Sequence, residues 1–130
     1  MSEAKGRVTG VGGIFFKCKD MEGLLDWYRR NLGIDPEEWG GKAFYWRDDP
    51  HVKGFCVWGP FQEQTEYFEP SDKRFMINMR VDDLRALAAR LREQGQDVTD
   101  VEEHAEGLFA WIIDPEGIKI ELWQQAEDYQ

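Results

Sequence analysis

Hydrophobic and polar residues alternate strictly near the end of the chain, directly after the Asp-Pro-Glu-Gly turn at 114–117. One side of this predicted strand is apolar and consists of Ile118, Ile120 and Leu122. The other side consists of Lys119, Glu121 and Trp123. Because successive side chains of a strand point to opposite faces, the apolar side is predicted to face the core. A carboxylate, an ammonium and an indole on the other side indicate a surface with a function.

The same pattern occurs earlier in the chain, because residues 109–123 match residues 44–58 at a constant spacing. The matched pairs include Trp111 with Trp46, Asp114 with Asp49, and Trp123 with Trp58. Since tryptophan is rare, an ungapped match of this kind indicates an internal duplication. We therefore predict one domain over 1–130, made of module 1 at about 8–59, a linker at 60–73 and module 2 at about 75–123.

The first module is predicted to contain strands at 8–19, 42–47 and 52–59. Asp20 is a plausible N-cap for the intervening helix, and Gly33 is predicted to end it. The apolar residues of this helix follow helical spacing and are Met21, Leu24, Leu25, Tyr28 and Leu32.

The second module repeats this order, with strands predicted at 75–83, 97–103, 108–113 and 118–123. Asp82 or Asp83 caps its helix, Gly95 ends it, and its predicted core positions are Leu84, Leu87, Ala88 and Leu91. The linker has no periodicity but carries Phe61, Tyr67 and Phe68. Two interpretations of these rings are open: they fold over a pocket, or they only pin the linker to the sheet.

Composition narrows the class of protein. A hydrophobic content of 42% with 32% charged residues indicates a globular domain, and the net charge of −10 argues against nucleic acid or an anionic membrane as partner. No segment is apolar enough for a signal peptide or a membrane span, and two cysteines are too few for a disulfide framework, so we expect a cytoplasmic protein. The six tryptophans fit either an aromatic core or an aromatic-lined pocket.

Three segments, taken in order with the duplication, resemble the vicinal oxygen chelate superfamily, which includes glyoxalases, bleomycin-resistance proteins and extradiol dioxygenases. They lie at 19–34, 81–95 and 114–123 and read KDMEGLLDWYRRNLGI, VDDLRALAARLREQG and DPEGIKIELW. The resemblance implies an α+β fold in which two tandem βαβββ modules form a curved mixed sheet, or cup. It also implies a homodimer with the ligand held in the cup.

Many members of that superfamily hold a divalent metal with one residue from the first and last strand of each module. Carried over by position, these residues are Gly13, Cys56, Met76 and Glu121. Only Glu121 matches the pattern, and one carboxylate does not hold a hard cation tightly. We therefore expect no metal cofactor, unless the strand alignment is displaced by one residue. His51 and His104 lie in irregular contexts and are expected to be solvated.

Strand alternation from these four positions predicts which residues face the cup. The predicted binding residues are Phe15, Lys17, Cys56, Trp58, Met76, Asn78, Arg80, Trp111, Lys119, Glu121 and Trp123. The opposite, apolar set is predicted to face the helices and consists of Ile14, Phe16, Phe55, Val57, Ile77, Met79, Val81, Ile118, Ile120 and Leu122. A solvated face with surface ion pairs is the alternative for the polar set.

Two classes of function fit this cup. The first is a metal-independent binding protein for a small organic molecule with an anionic group and a planar body, which cations and indoles would hold. The alternative is an enzyme, a lyase, isomerase or dioxygenase, in which Glu121 is either a metal ligand or the general base, with Arg80 or Lys17 stabilising developing charge. Cys56 is either a nucleophile or, more simply, a small packing residue.

Overall fold

Two helices and one sheet make up the regular structure of the chain, whose computed structural model describes residues 6–129. The helices are α1, Met21–Leu32, and α2, Leu84–Glu93. The strands are β1, Ile77–Arg80, β2, Glu102–His104, β3, Gly107–Ile113, and β4, Lys119–Gln125. A short 3-10 turn covers Trp46–Asp48. The predicted α+β class is confirmed.

Both helices begin at an aspartate, as the sequence predicts. The carboxylates of Asp20 and Asp83 accept hydrogen bonds from the backbone amides of Gly23 and Ala86, at 3.0 and 3.1 Å. These bonds satisfy amides that have no partner within the first turn of a helix. Gly33 ends α1 with a φ of 70°, a left-handed conformation that glycine adopts without a steric penalty.

The sheet has the order β1-β4-β3-β2, in which β1 runs parallel to β4 and the other neighbours are antiparallel. The pairing register places Glu121 of β4 between Asn78 of β1 and Trp111 of β3. Because cross-strand partners share one face of a sheet, this register brings their side chains together.

The inner face of the sheet packs against both helices and forms the core. All four predicted core positions of α2 are buried: Leu84, Leu87, Ala88 and Leu91. From the sheet, the core includes Ala110, Ile112, Ile120 and Leu122. In α1 the prediction is partly wrong, because Met21 is 54% exposed and Trp27 is buried in the core instead. The side chain of Trp27 also donates to Gln96 Oε1 at 3.2 Å, which joins α1 to the end of α2.

The first module differs most from its prediction. Over the described residues 6–76 there is no strand, and the segments 8–19, 42–47 and 52–59 are largely irregular. The predicted core residues Ile14, Phe16 and Val57 are exposed. The physical reason is that a strand needs a neighbour to receive its backbone hydrogen bonds, and in this chain the sheet of the second module does not extend to these segments.

In the second module, one strand is displaced from its prediction. The segment predicted at 97–103 forms a strand only at Glu102–His104, although Thr99 already donates its amide to the carbonyl of Trp111 at 3.0 Å. The other strands lie where the alternation predicts them. No helix within the described residues is long and apolar enough to cross a membrane.

Candidate functional site

The face of the sheet opposite the helices, called the outer face here, combines polar and aromatic side chains. Alternation along three strands places these side chains on one side of the sheet. The outer face consists of Asn78 and Arg80 from β1, Phe109 and Trp111 from β3, and Lys119, Glu121 and Trp123 from β4.

Glu121 is the centre of this face and is 8% exposed. Its Oε1 accepts a hydrogen bond from Asn78 Nδ2 at 2.8 Å. Its Oε2 accepts from Trp111 Nε1 at 3.0 Å and from the hydroxyl of Tyr67. A buried carboxylate is stable only when donors replace its lost water, and these three donors do so.

Three near-parallel rings lie in a row beside Glu121, and we call them the ring row. Phe109 lies between Trp111 and Trp123, with ring centroids 6.2 and 6.1 Å away and planes inclined by 14° and 10°. Phe109 and Trp111 are half-buried, whereas Trp123 is buried. Trp123 is also fixed by a hydrogen bond from its Nε1 to the carbonyl of Glu106 at 3.0 Å. The row is therefore fixed by Trp123 beneath it, and Phe109 and Trp111 are the part that reaches the surface.

One end of the outer face is closed by an ion pair. Arg80 donates to both carboxylate oxygens of Asp49, at 2.6 and 3.0 Å, and its guanidinium lies 5.3 Å from the ring centroid of Trp123. The guanidinium holds the pKa of Asp49 below its usual value. Gly54 permits this approach, because a Cβ at that position would lie 2.9 Å from Arg80 Nη2. The ion pair thus attaches the loop after the 3-10 turn to β1.

The other end is covered by the linker. Tyr67 places its ring edge-on to Trp111, with centroids 6.3 Å apart, and its hydroxyl on Glu121. Lys119 donates from Nζ to the carbonyls of Tyr67 and Glu69, at 2.6 and 2.9 Å. Burial, together with the hydrogen bond to Glu121, raises the pKa of Tyr67. Both interpretations of the linker rings therefore hold in part, since Tyr67 covers the face and is attached to it.

The structure brings together six of the predicted site residues: Asn78, Arg80, Trp111, Lys119, Glu121 and Trp123. Met76 is half-buried just before β1. The side chains of the six residues on β1, β3 and β4 share one face because regular strands preserve the alternation on which the prediction rests.

Four predicted residues of the first module lie elsewhere, which corrects their placement in the cup. Phe15 is 89% and Trp58 79% exposed, and Lys17 and Cys56 are also exposed. Within residues 6–129, none of the four makes a hydrogen bond or a ring contact with the outer face. Their segments are not strands, so alternation does not fix the direction of their side chains.

The prediction missed four residues that complete the site. Phe55 was predicted to face the helices, but its ring packs edge-on against Trp123, with centroids 5.5 Å apart. Phe109 has the same alternation as Trp111 in β3, so the sequence contained the signal for it. Asp49 and Tyr67 come from loops without periodicity, where only tertiary contacts bring them to Arg80 and Glu121. No local pattern identifies such residues.

The donors around Glu121 do not suit a metal ion. Hydroxyl, amide and indole hydrogens point at the carboxylate, whereas a cation needs further acceptors. Gly13 has no side chain to offer, and no group of three His, Cys, Asp or Glu side chains with metal-binding geometry occurs among the described residues. The same three donors occupy most of the acceptor positions that a general base would use on a substrate.

Two surface clefts lie beside the helices, and the lining of the second also includes Arg80 at the end of the outer face. One, of about 580 Å³, follows the start of α1, and the other, of about 300 Å³, lies at the start of α2. The lining of the first includes Asp26, whose carboxylate is already paired with Arg29 and Arg30. Neither lining contains an aromatic residue, so the outer face is the stronger candidate site.

Comparison with known proteins assigns this architecture to a family. A sequence model described as a glyoxalase-like domain matches residues 13–123. Among solved structures, the chain is similar to TnmS3, an antibiotic binding protein from Streptomyces sp. CB03234, with a TM-score of 0.53 and 25% sequence identity. The match covers 84% of this chain and 89% of TnmS3. No curated protein sequence matches the chain.

Proposed function

The chain belongs to the glyoxalase-like domain family, within the vicinal oxygen chelate superfamily, and we propose that it binds a small planar organic molecule on the outer face without a metal ion. The observation that carries this proposal is the half-buried pair Trp111 and Phe109 of the ring row, beside the buried Glu121. Flat rings supply a large apolar contact area, and a few fixed polar groups set the orientation of the ligand. That TnmS3 is an antibiotic binding protein supports a binding function.

We further propose that the ligand carries an anionic group, which Lys119 receives. Within the described residues the partners of Lys119 are all neutral, two carbonyls and two aromatic rings, and no carboxylate lies in ion-pair distance. A ligand carboxylate would be a stronger partner for the ammonium than a carbonyl oxygen. Arg80 is less suited to this role, because Asp49 already neutralises it through two hydrogen bonds.

A homodimer is the proposed assembly. The first module exposes several large apolar side chains, among them Phe15, Phe44, Trp46 and Trp58. Apolar surface of this extent is typical of an interaction site, and a second copy of the chain is the proposed cover. Sedimentation equilibrium tests this assembly, and a monomer at all micromolar concentrations would contradict it. Because Cys18 and Cys56 are unpaired thiols, the cytoplasm is the proposed compartment.

Binding of 2-naphthoate, a planar carboxylate, tests the proposal. We expect it to raise the melting temperature and to quench tryptophan fluorescence, whereas cyclohexanecarboxylate and naphthylmethylammonium should do so much less. Trp111→Ala should weaken binding about fivefold, since a lost aromatic contact is worth roughly 1 kcal/mol. Lys119→Met should weaken binding of the anion but not of neutral naphthalene.

Trp46→Ala is the matched control, because Trp46 is exposed and lies outside the outer face. Binding that is unchanged by Trp111→Ala, or a protein that prefers the planar cation to the anion, would sink the proposal.

A further inference from the structure

The linker places a phenol on the outer face. The hydroxyl of Tyr67 donates to Oε2 of Glu121, and the edge of its ring meets Trp111 at an angle of 89°. The ammonium of Lys119 lies 5.2 Å from the centroid of the same ring. A carboxylate, an indole and an ammonium therefore surround one hydroxylated ring, each with the geometry that recognises such a ring.

Tyr67 is not fixed in this position by burial, because it is 40% exposed. Two backbone carbonyls of the linker bind Lys119, and Phe61 packs nearly parallel to the ring of Tyr67 at 5.7 Å between centroids. Phe61 is itself 53% exposed. Partly exposed contacts of this kind are weak, so the linker is one that a ligand can displace.

We propose that Tyr67 occupies a subsite for a phenolic ring, and that a ligand with a hydroxylated aromatic ring displaces Tyr67 and takes its hydrogen bond to Glu121. This proposal rests on the proposed function, because it assumes that the ligand binds on the outer face. It adds the chemical class of the ligand, a hydroxyaryl compound, and assigns the linker a role as an internal competitor.

The environment of Tyr67 favours the neutral phenol over the phenolate. Burial and the neighbouring Glu121 raise the pKa of Tyr67, so its hydroxyl stays protonated and donates. The hydroxyl of a ligand in the same place would meet the same carboxylate and would also stay protonated. A methyl ether of the same compound has no hydrogen to donate and leaves Oε2 of Glu121 with one donor fewer.

Displacement of Tyr67 also changes Lys119. When the linker leaves, the ammonium loses the carbonyls of Tyr67 and Glu69 as partners. A ligand that carries both a hydroxyl and an anionic group replaces both sets of contacts, one at Glu121 and one at Lys119. Such a ligand therefore competes with the linker more effectively than a ligand with either group alone.

Isothermal titration calorimetry with two matched naphthoates tests the subsite. The first carries a hydroxyl group on the ring that does not bear the carboxylate, and the second carries a methoxy group at the same position. We expect Tyr67→Ala to bind the hydroxynaphthoate about tenfold more tightly than the wild type does, because the internal competitor is gone. In Tyr67→Ala the hydroxyl compound should bind about tenfold more tightly than the methyl ether. In the double variant that carries Tyr67→Ala and Glu121→Gln, most of the preference for the hydroxyl compound should be lost.

Tyr45→Ala is the control, since Tyr45 is an exposed tyrosine outside the outer face, and it should bind like the wild type. Equal affinity of Tyr67→Ala for the two naphthoates would overturn the subsite, and equal affinity of Tyr67→Ala and wild type would overturn the competition. If 2-naphthoate still binds in either case, the proposed function stands, and only the subsite or the competition is overturned. If no naphthoate binds to any variant, both proposals fail.

Discussion

The two halves of the chain repeat one sequence pattern but bury different shares of their apolar side chains. The second half supplies all strands of the described chain and most of the core. From the first half, α1 contributes Leu24, Trp27 and Tyr28, while the loops around it leave Trp46 and Trp58 exposed. Their repeat partners Trp111 and Trp123 lie on the outer face of the sheet. In these two pairs the tryptophan is therefore covered only where neighbouring strands flank it.

The two Asp-Pro turns also differ between the halves, in the contacts of their aspartates. In both turns the aspartate accepts a hydrogen bond from the amide two residues later, Asp49 from His51 at 2.9 Å and Asp114 from Glu116 at 2.8 Å. This local bond is typical of an Asx turn, and the sequence alone accounts for it. The turns differ in what the second carboxylate oxygen binds.

Asp114 is buried and accepts a hydrogen bond from the hydroxyl of Tyr28 at 2.6 Å, which ties α1 to the start of β4. Glu116 of the same turn accepts from the amides of Lys19 and Asp20, both at 3.0 Å. Asp49, in contrast, binds Arg80 at the end of the outer face. The repeat has thus produced one turn that holds the fold together and one turn that shapes the site.

The largest difference in stability loss between the two halves is expected when a large side chain is truncated to alanine. Leu91 is fully buried in α2, and Leu91→Ala should lower the free energy of unfolding by about 3 kcal/mol through lost burial and a cavity. Trp58→Ala removes an exposed ring and should change the free energy of unfolding by less than about 0.5 kcal/mol in dilute solution. Urea denaturation by circular dichroism measures both.

Protein concentration sharpens this test. If a second copy of the chain covers the first module, Trp58→Ala should lower the stability at high protein concentration but not at low concentration. A large loss for Trp58→Ala at every concentration would show that the ring is already buried in the monomer, against the structure described above.

The sequence predicts most of the second half well because its local signals agree with its tertiary contacts, apart from the displaced strand β2. Asp83 caps α2, the spacing of Leu84, Leu87 and Leu91 faces the core, and the alternation in β4 divides Glu121 from Ile120. The same signals in the first half predict strands that do not form. Alternation states which side chains would share a face, but it does not supply the neighbouring strand that a sheet requires.

The site shows the same limit. Alternation predicts Asn78, Arg80, Lys119 and Glu121 together, since all four lie on paired strands. It cannot place Tyr67, because the position of a loop residue depends on contacts across the whole chain, such as the 54-residue separation from Glu121. Tertiary contacts also change the charge of the predicted polar set, since Asp49 neutralises Arg80.

Removing each turn aspartate should have a smaller effect than the core truncation and should distinguish the two turns. Asp114→Ala leaves the Tyr28 hydroxyl and two backbone amides without their acceptor, and should cost about 2 kcal/mol of stability. Asp49→Ala should cost about 1 kcal/mol or less, because its pair with Arg80 is partly exposed. Tyr28→Phe is the control and should lose about half as much as Asp114→Ala. Equal losses for the two aspartates in urea denaturation would contradict separate roles.

The smallest expected effect is the pH dependence of the Asp49–Arg80 pair. Arg80 holds the pKa of Asp49 below its ordinary value of 3.8, so the folded state releases the proton more readily than the unfolded chain. The pair therefore stabilises the fold above that value, and its contribution is lost as the pH falls through the lowered pKa. The difference in unfolding free energy between wild type and Asp49→Asn should be below about 1 kcal/mol at neutral pH and should shrink in acid. Because other carboxylates titrate equally in both proteins, the difference isolates Asp49. A difference that stays constant from neutral to acidic pH would mean that charge on Asp49 contributes nothing, and that only the shape of the turn holds Arg80 at the end of the outer face.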